Sequence, residues 1–295
     1  MIFAVNVMLF SSFFYFYTFS IYKAMKNFEN KVIIVTGATS GIGLALVKAF
    51  AKEGAIVCYT GRNEKKLEAA AKEIDAITEE HFPILADVAS EEDNQQMANA
   101  VLARFGRIDV LVNNAGISMR ALFEDLSLDV FRQVMDINLY GAVYATKYCL
   151  PSIIENKGAI VAISSINGYR GTPARTAYTA SKFAMNGFME SLRTEVMSRG
   201  VQTLVVCPGF TESNIRNAAL NAEGVSQGES PREENKMMSA DEVAEYTLNA
   251  LRKNKREIVL TSQGKLAVFL NKWIPGRMDK IVYNVMKKEK DHPLK

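Results

Sequence analysis

Seven short apolar runs constrain the fold of this chain more than any other feature. They are Val32–Thr36, Ile56–Thr60, Phe82–Ala86, Val110–Val112, Ala159–Ser164, Gln202–Cys207 and Glu257–Thr261, and helical stretches lie between them. The first is β-branched and apolar at consecutive positions, as a strand buried on both faces must be. This βαβ alternation predicts an α/β fold, a doubly wound parallel seven-stranded sheet with helices on both faces. Crossovers between parallel strands are right-handed, which selects the doubly wound arrangement. The chain has 295 residues and 48% hydrophobic content, enough for one such core plus extensions.

The first strand runs straight into Thr36-Gly37-Ala38-Thr39-Ser40-Gly41-Ile42-Gly43. Helix formers with an apolar face follow from Leu44 to Glu53, and Gly54 stops them. Strand, glycine turn and helix form the context in which a turn cradles a dinucleotide. Glycine permits the tight turn and lets a pyrophosphate approach the backbone. The helix N-terminus offers free N–H groups and partial positive charge to that phosphate.

A second constellation lies further on. Tyr178 and Lys182 are four residues apart in Tyr178-Thr179-Ala180-Ser181-Lys182, so on a helix they share a face. An ammonium beside a phenol is expected to pull the tyrosine pKa below its usual value of about 10. Such a tyrosine can exchange a proton with an alcohol or carbonyl near neutral pH. The pair alone is common by chance; Ser165 upstream and the glycine turn give it weight.

Taken in order, Thr36-Gly37-xxx-Gly41-Ile42-Gly43, Asn113-Asn114-Ala115-Gly116, Asn138, Ser165, Tyr178 with Lys182, and Pro208-Gly209 resemble the short-chain dehydrogenase/reductase family. The resemblance covers about residues 29–262 and implies a Rossmann-like domain there. The pattern is similar to that of membrane-associated members, the dehydrogenase/reductase 7-like group. The resemblance implies four catalytic residues. Ser165 would hydrogen-bond the substrate oxygen. Tyr178 would be general acid in reduction and general base in oxidation. Lys182 would lower the tyrosine pKa and bind the nicotinamide ribose. Asn138 would hold a water that links Lys182 to solvent. It also implies the cofactor contacts. Gly37, Thr39, Ser40, Gly41, Ile42 and Gly43 form the turn, and Asp87 and Val88 meet the adenine. Asn114, Ala115 and Gly116 line the adenosine and ribose path, while Asn113 is largely structural. Pro208 and Gly209 lie near the nicotinamide, and Thr211 touches its carboxamide.

Sheets that bind NAD place an acid at the end of the second strand, where it meets the adenine ribose hydroxyls. Here that position reads Thr60-Gly61-Arg62-Asn63, with no acid. The Arg62 guanidinium is a fork of donors suited to a 2′-phosphate. NADP(H) is therefore the expected cofactor. Ser40, where a basic residue often precedes the second glycine, leaves NAD(H) open.

Composition narrows the rest. A net charge of +3 without a basic stripe gives no nucleic-acid footprint. His81 and His292 have no partner cluster, so zinc and histidine-based catalysis lack support. Cys58, Cys149 and Cys207 are scattered, as expected of a reducing compartment without disulfides. Met1–Tyr22 carries no charge and Lys23, Lys26 and Lys31 follow it. Residues 1–25 thus read as an uncleaved anchor holding the catalytic domain on the cytoplasmic side. A segment lying on the membrane or packed on the domain, or a true start at Met25 with a cytoplasmic protein, are the alternatives. Residues 210–236 are polar and match the family's mobile substrate lid. In residues 263–295, apolar positions from Leu266 to Met286 recur at helical spacing against Lys and Arg. That extension could pack on the domain, close the pocket or lie on a membrane. Ile117, Met119, Leu122, Phe123, Ile166 and Tyr169 suggest an apolar pocket for a lipid-, steroid- or retinoid-like carbonyl or alcohol. A homodimer or homotetramer is expected from the resemblance. A non-catalytic NADP(H)-binding sensor or scaffold is the alternative function, and the intact catalytic set argues against it. The TGxxxGIG spacing argues against a sugar-nucleotide epimerase.

Overall fold

The computed structural model describes residues 25–212, 215–228, 237–289 and 291–294. Its seven strands are β1 (Val32–Val35), β2 (Ile56–Gly61), β3 (His81–Leu85), β4 (Val110–Asn113), β5 (Ala159–Ile163), β6 (Gln202–Cys207) and β7 (Glu257–Val259). They form one parallel sheet in the order β3-β2-β1-β4-β5-β6-β7. The expected doubly wound seven-stranded sheet is thus observed. Central β1 carries the register. Val35 stands beside Tyr59 of β2 on one side and Val112 of β4 on the other. Strand order reverses between β1 and β4, so a crevice opens beyond their C-terminal ends.

Successive side chains of a strand point to opposite faces, and β1 shows the result. Ile33 and Val35 enter one apolar layer with Leu46, Phe50 and Leu251. Val32 and Ile34 enter the other with Val101, Ile153 and Met189. The first layer is covered by helices α1 (Gly41–Lys52), α2 (Glu64–Asp75) and α7 (Ala240–Arg252). The second is covered by α3 (Glu91–Phe105), α5 (Gly141–Glu155) and α6 (Thr176–Val196). Each fully buried Ile or Val contributes about 1.5–3 kcal/mol relative to exposure. Cys58, Cys149 and Cys207 are free thiols within these layers, and burial pushes each up to about 12.

Three local features position the site. Helix α4 (Leu128–Met135) passes through one π turn, Asp136–Tyr140, before α5 begins. Such wide turns are rare and re-aim side chains, and this one holds Asn138. Ser165 stands between β5 and a short 3-10 turn, Ile166–Gly168. After β7 the chain forms a helical hairpin, α8 (Ser262–Trp273) and α9 (Pro275–Met286). Thr261 accepts from the Gly264 N–H to start α8, and Pro275 starts α9. Among the described residues no helix is long and apolar enough to cross a membrane. The proposed anchor, Met1–Tyr22, lies outside the described residues, as does part of the expected lid, residues 213–214 and 229–236.

Candidate active site

A cavity of about 800 Å³ occupies the crevice. One end is the glycine turn. Gly37 and Gly41 have φ of +63° and +55°, which favour glycine. A Cβ on Gly43 would sit 2.5 Å from the Gly37 carbonyl oxygen, so no side chain fits there. The turn is locked from across the sheet. The Asn114 Nδ2 donates to the carbonyls of Thr36 and Gly37, both at 2.9 Å. The Thr36 hydroxyl accepts from the N–H groups of Asn114 and Ala115 at 3.1 Å.

Helix α1 differs from its neighbours at its start. Helices α2, α3 and α7 begin with side-chain caps from Asn63, Ser90 and Ser239, and carry acids in the first turn. Helix α1 has no side-chain cap and no acid in its first turn. Its first N–H groups and partial positive charge are left for an anion. Thr39, Ser40, Gly41 and Ile42 line the cavity at this point. Further along the rim, Arg62 is exposed and makes no hydrogen bond or ion pair among the described residues. Lys66 lines the same rim and was not anticipated. Its place, one turn into α2 and four residues after Arg62, was the available signal.

The other expected cofactor residues divide. Asp87, Val88, Ala115, Gly116, Pro208, Gly209 and Thr211 all line the cavity. Asp87 also shapes its own loop, since its Oδ1 accepts from the Ala89 N–H at 3.0 Å. Asn114 lines the cavity too, but both its amide protons are spent on the glycine turn. Its side chain therefore acts as a clamp, while Asn113 turns inward to donate to Thr146.

The four catalytic candidates converge. Ser165 stands by the Tyr178 phenol and favours its charged form, and its Oγ accepts from the Asn167 N–H at 3.2 Å. Tyr178 borders the cavity and is half-buried. Lys182 is buried, and its Nζ lies 5.7 Å from the Tyr178 ring centre. The ammonium donates to the Ile163 carbonyl at 2.8 Å. Asn138 is fully buried. Its Nδ2 donates to the Ile117 carbonyl and to the Ser181 hydroxyl, both at 2.9 Å, and its Oδ1 accepts from the Ile117 N–H. Its amide protons are thus committed to protein groups, which leaves one lone pair on Oδ1 for a water. Ser164 points away, donating to Asn186 at 2.6 Å.

The expected pKa of Tyr178 is corrected. Burial pushes the phenol up, and this outweighs the Ser165 hydroxyl and the Arg175 and Arg216 charges, which pull it down. Burial also lowers Lys182, to about 8. Desolvation penalises the phenolate and the ammonium alike. Proximity on one helix face is therefore not enough to produce a low tyrosine pKa.

The substrate wall also differs from expectation. Ile117 and Ile166 line the cavity, but Met119 is buried in a separate cluster and Phe123 stands exposed outside. The Tyr169 hydroxyl donates to Glu257 at 2.6 Å instead. The apolar wall comes from the hairpin, through Leu270, Met278, Val282 and Met286. Among the described residues the C-terminal extension both packs on the domain, through Met278, Met286 and the Asp279–Arg170 pair, and closes the pocket. Arg170, Arg175 and Arg216 add a cationic stretch that sequence reasoning missed. Arg175 was findable, since it stands three residues before Tyr178.

The comparisons agree with this geometry. Residues 31–224 match the model of the short chain dehydrogenase family. The chain belongs to the short-chain dehydrogenase family. It is 37% identical over 284 residues to a mouse protein named dehydrogenase/reductase SDR family member 7B, covering 92% of this chain and 88% of that one. A Drosophila melanogaster dehydrogenase/reductase SDR family protein 7-like is 34% identical, covering 88% of this chain and 81% of its own. Among solved structures, an alcohol dehydrogenase from the archaeon Thermococcus sibiricus complexed with 5-hydroxy-NADP superposes with a TM-score of 0.70. It is 27% identical and covers 79% of this chain and 96% of its own. A short-chain dehydrogenase from Streptomyces avermitilis gives a TM-score of 0.73 at 28% identity, covering 88% and 96%. Short-chain dehydrogenases are oxidoreductases of small molecules.

Proposed function

We propose that this protein is an NADP(H)-dependent oxidoreductase that interconverts a carbonyl and a secondary alcohol on an apolar, lipid-, steroid- or retinoid-like substrate. One observation carries the reading: Ser165, Tyr178 and the uncapped N-terminus of α1 line the same cavity. The residues present fit a dinucleotide. Gly37 and Gly43 leave no room for a Cβ in the tight turn, and α1 offers a pyrophosphate free N–H groups. Arg62 and Lys66, with no acid at the end of β2, suit a 2′-phosphate better than free ribose hydroxyls.

The bound nicotinamide would supply or take up the hydride. The chain's own residues would manage the proton. Tyr178, its pKa raised by burial, holds its proton at neutral pH and so is set to donate to a carbonyl oxygen being reduced. Ser165 holds that oxygen and shares the developing charge. Arg175 and Arg216 ease the departure of the proton by stabilising the phenolate. Lys182 returns charge to the site from the same helix. The apolar hairpin wall excludes water from the substrate and selects an apolar body.

Pairing of copies through α5 and α6 is part of the proposal, supported by the exposed Tyr140 and Phe183 beside those helices. Membrane association through the uncharged stretch Met1–Tyr22 is another part. The deciding experiment is a calorimetric titration with NADPH and NADH, followed by turnover of apolar ketones by the wild type and Tyr178→Phe. Tight NADPH binding with turnover lost only in the variant supports the proposal. Binding of neither dinucleotide by folded protein refutes it.

A further inference from the structure

We propose that the α8–α9 hairpin docks on an anionic phospholipid bilayer and that the cavity mouth opens onto that surface. The inference uses the apolar-substrate reading only to say what would enter; the surface itself stands on exposure and charge. On α8, Leu266, Phe269 and Trp273 follow one another at helical spacing and are 57%, 59% and 73% exposed. The Phe269 and Trp273 rings lie 6.4 Å apart and form one aromatic patch. On α9, Ile281 and Val285 are one turn apart and are 46% and 50% exposed. Leu266, Ile281 and Val285 also line the cavity, so they stand at its rim. Large apolar side chains gathered this way mark a binding surface, unlike single ones scattered over a protein.

Charge decides the occupant. From Ser262 to Glu289 there are six basic residues, Lys265, Lys272, Arg277, Lys280, Lys287 and Lys288, against two acids, Asp279 and Glu289. All six basic residues are exposed. Asp279 is drawn to the domain by Arg170 at 2.7 Å, which leaves the outer surface more positive still. The formal net charge of the whole chain is only +3, so positive charge is concentrated on this hairpin. A second copy meeting it face to face would set lysine against lysine. An anionic bilayer satisfies both halves of the pattern. Apolar side chains and Trp273 enter the headgroup boundary while lysines meet lipid phosphates and carboxylates.

Trp273 is the chain's only tryptophan, so its emission reports this hairpin alone, whatever residues 1–22 do. The full chain would be reconstituted with phosphatidylcholine vesicles, with and without phosphatidylserine, whose acyl chains are brominated near the headgroup. The expected result is a blue shift and quenching of Trp273, stronger with phosphatidylserine and weakened by salt. The variants Lys272→Ala and Lys280→Ala, neither at the cavity, should each weaken that interaction by roughly 5-fold. Emission unchanged by brominated lipid, while the protein still floats with the vesicles, overturns the inference. So does a blue shift that appears without lipid and grows with protein concentration, which would assign the face to a second copy. No cofactor or ketone is present, so failure of turnover leaves this result standing. Turnover of soluble ketones with unquenched Trp273 sinks the docking surface alone.

Discussion

Replacing Arg62 by Ala should separate the two nicotinamide dinucleotides. Arg62 lies at the cavity rim, exposed and without a partner among the described residues, so its removal breaks no internal contact. A hydrogen bond to a charged group is worth about 1.5–3 kcal/mol net. Exposure screens the attraction, so the lower end applies, and about 1.4 kcal/mol is a tenfold change in affinity. NADPH should therefore bind roughly tenfold more weakly to Arg62→Ala, and the double variant with Lys66→Ala should lose about as much again. NADH lacks the 2′-phosphate and should change little. The assay is calorimetric titration of each variant at two salt concentrations. Salt should weaken NADPH binding to the wild type more than to the variants, because the screened contacts are already gone in them. Equal losses for NADPH and NADH, or no loss for either, would refute the assignment of this rim to a phosphate.

Other outcomes follow from the same geometry. Tyr178→Phe should abolish turnover while dinucleotide affinity, measured by titration, stays near that of the wild type. Arg175→Met removes a charge that pulls the Tyr178 pKa down, so the basic limb of the pH–rate profile should move to higher pH; a limb that stays put would assign it to another group. Ile34→Ala should cost about 2–5 kcal/mol in denaturant unfolding, because the side chain is fully buried in the central strand. Asp109 ties the start of β4 to Lys31 and to the Val32 N–H at 3.0 Å, and Arg107 donates to it as well. Burial alone would raise its pKa, but these donors hold the carboxyl below the usual carboxylate range. Its contribution is present above the unfolded pKa and is lost as pH falls through the lower folded value. Asp109→Asn should accordingly flatten the acid limb of a stability–pH curve.

Strands and turn were legible because their signals are local. A buried parallel strand writes itself as a short β-branched run, and β6 lies at Gln202–Cys207 as read. The glycine turn followed from spacing alone, since positive φ at Gly37 and Gly41 demands glycine. What escaped depends on atoms distant in the chain. Nothing near Asn114 shows that its amide faces the carbonyls of Thr36 and Gly37, 78 and 77 residues away. The helical spacing of Tyr178 and Lys182 was plain, but the desolvation that raises one pKa and lowers the other comes from the surrounding fold. The hairpin's amphipathic pattern was visible, yet pattern does not say which face meets the pocket. Residues just after Gly116 suggested a wall that Leu270 and Met278 supply instead.

The position of β1 has a consequence for the order in which the protein comes into being. Residues 32–35 leave the ribosome early, but β1 needs β2 on one flank and β4, starting at Val110, on the other. Synthesis proceeds at about 5–20 residues per second, so the central strand waits several seconds with one edge bare. Once Asn114 arrives, its amide closes on Thr36 and Gly37, and the glycine turn acquires its shape. All residues of the glycine turn and of its Asn114 clamp are thus synthesised before Ser165 and Tyr178. A chain stalled after β4 would contain the turn and its clamp but neither Ser165 nor Tyr178. Cofactor supplied during translation could hold that half together until the catalytic half is threaded beside it.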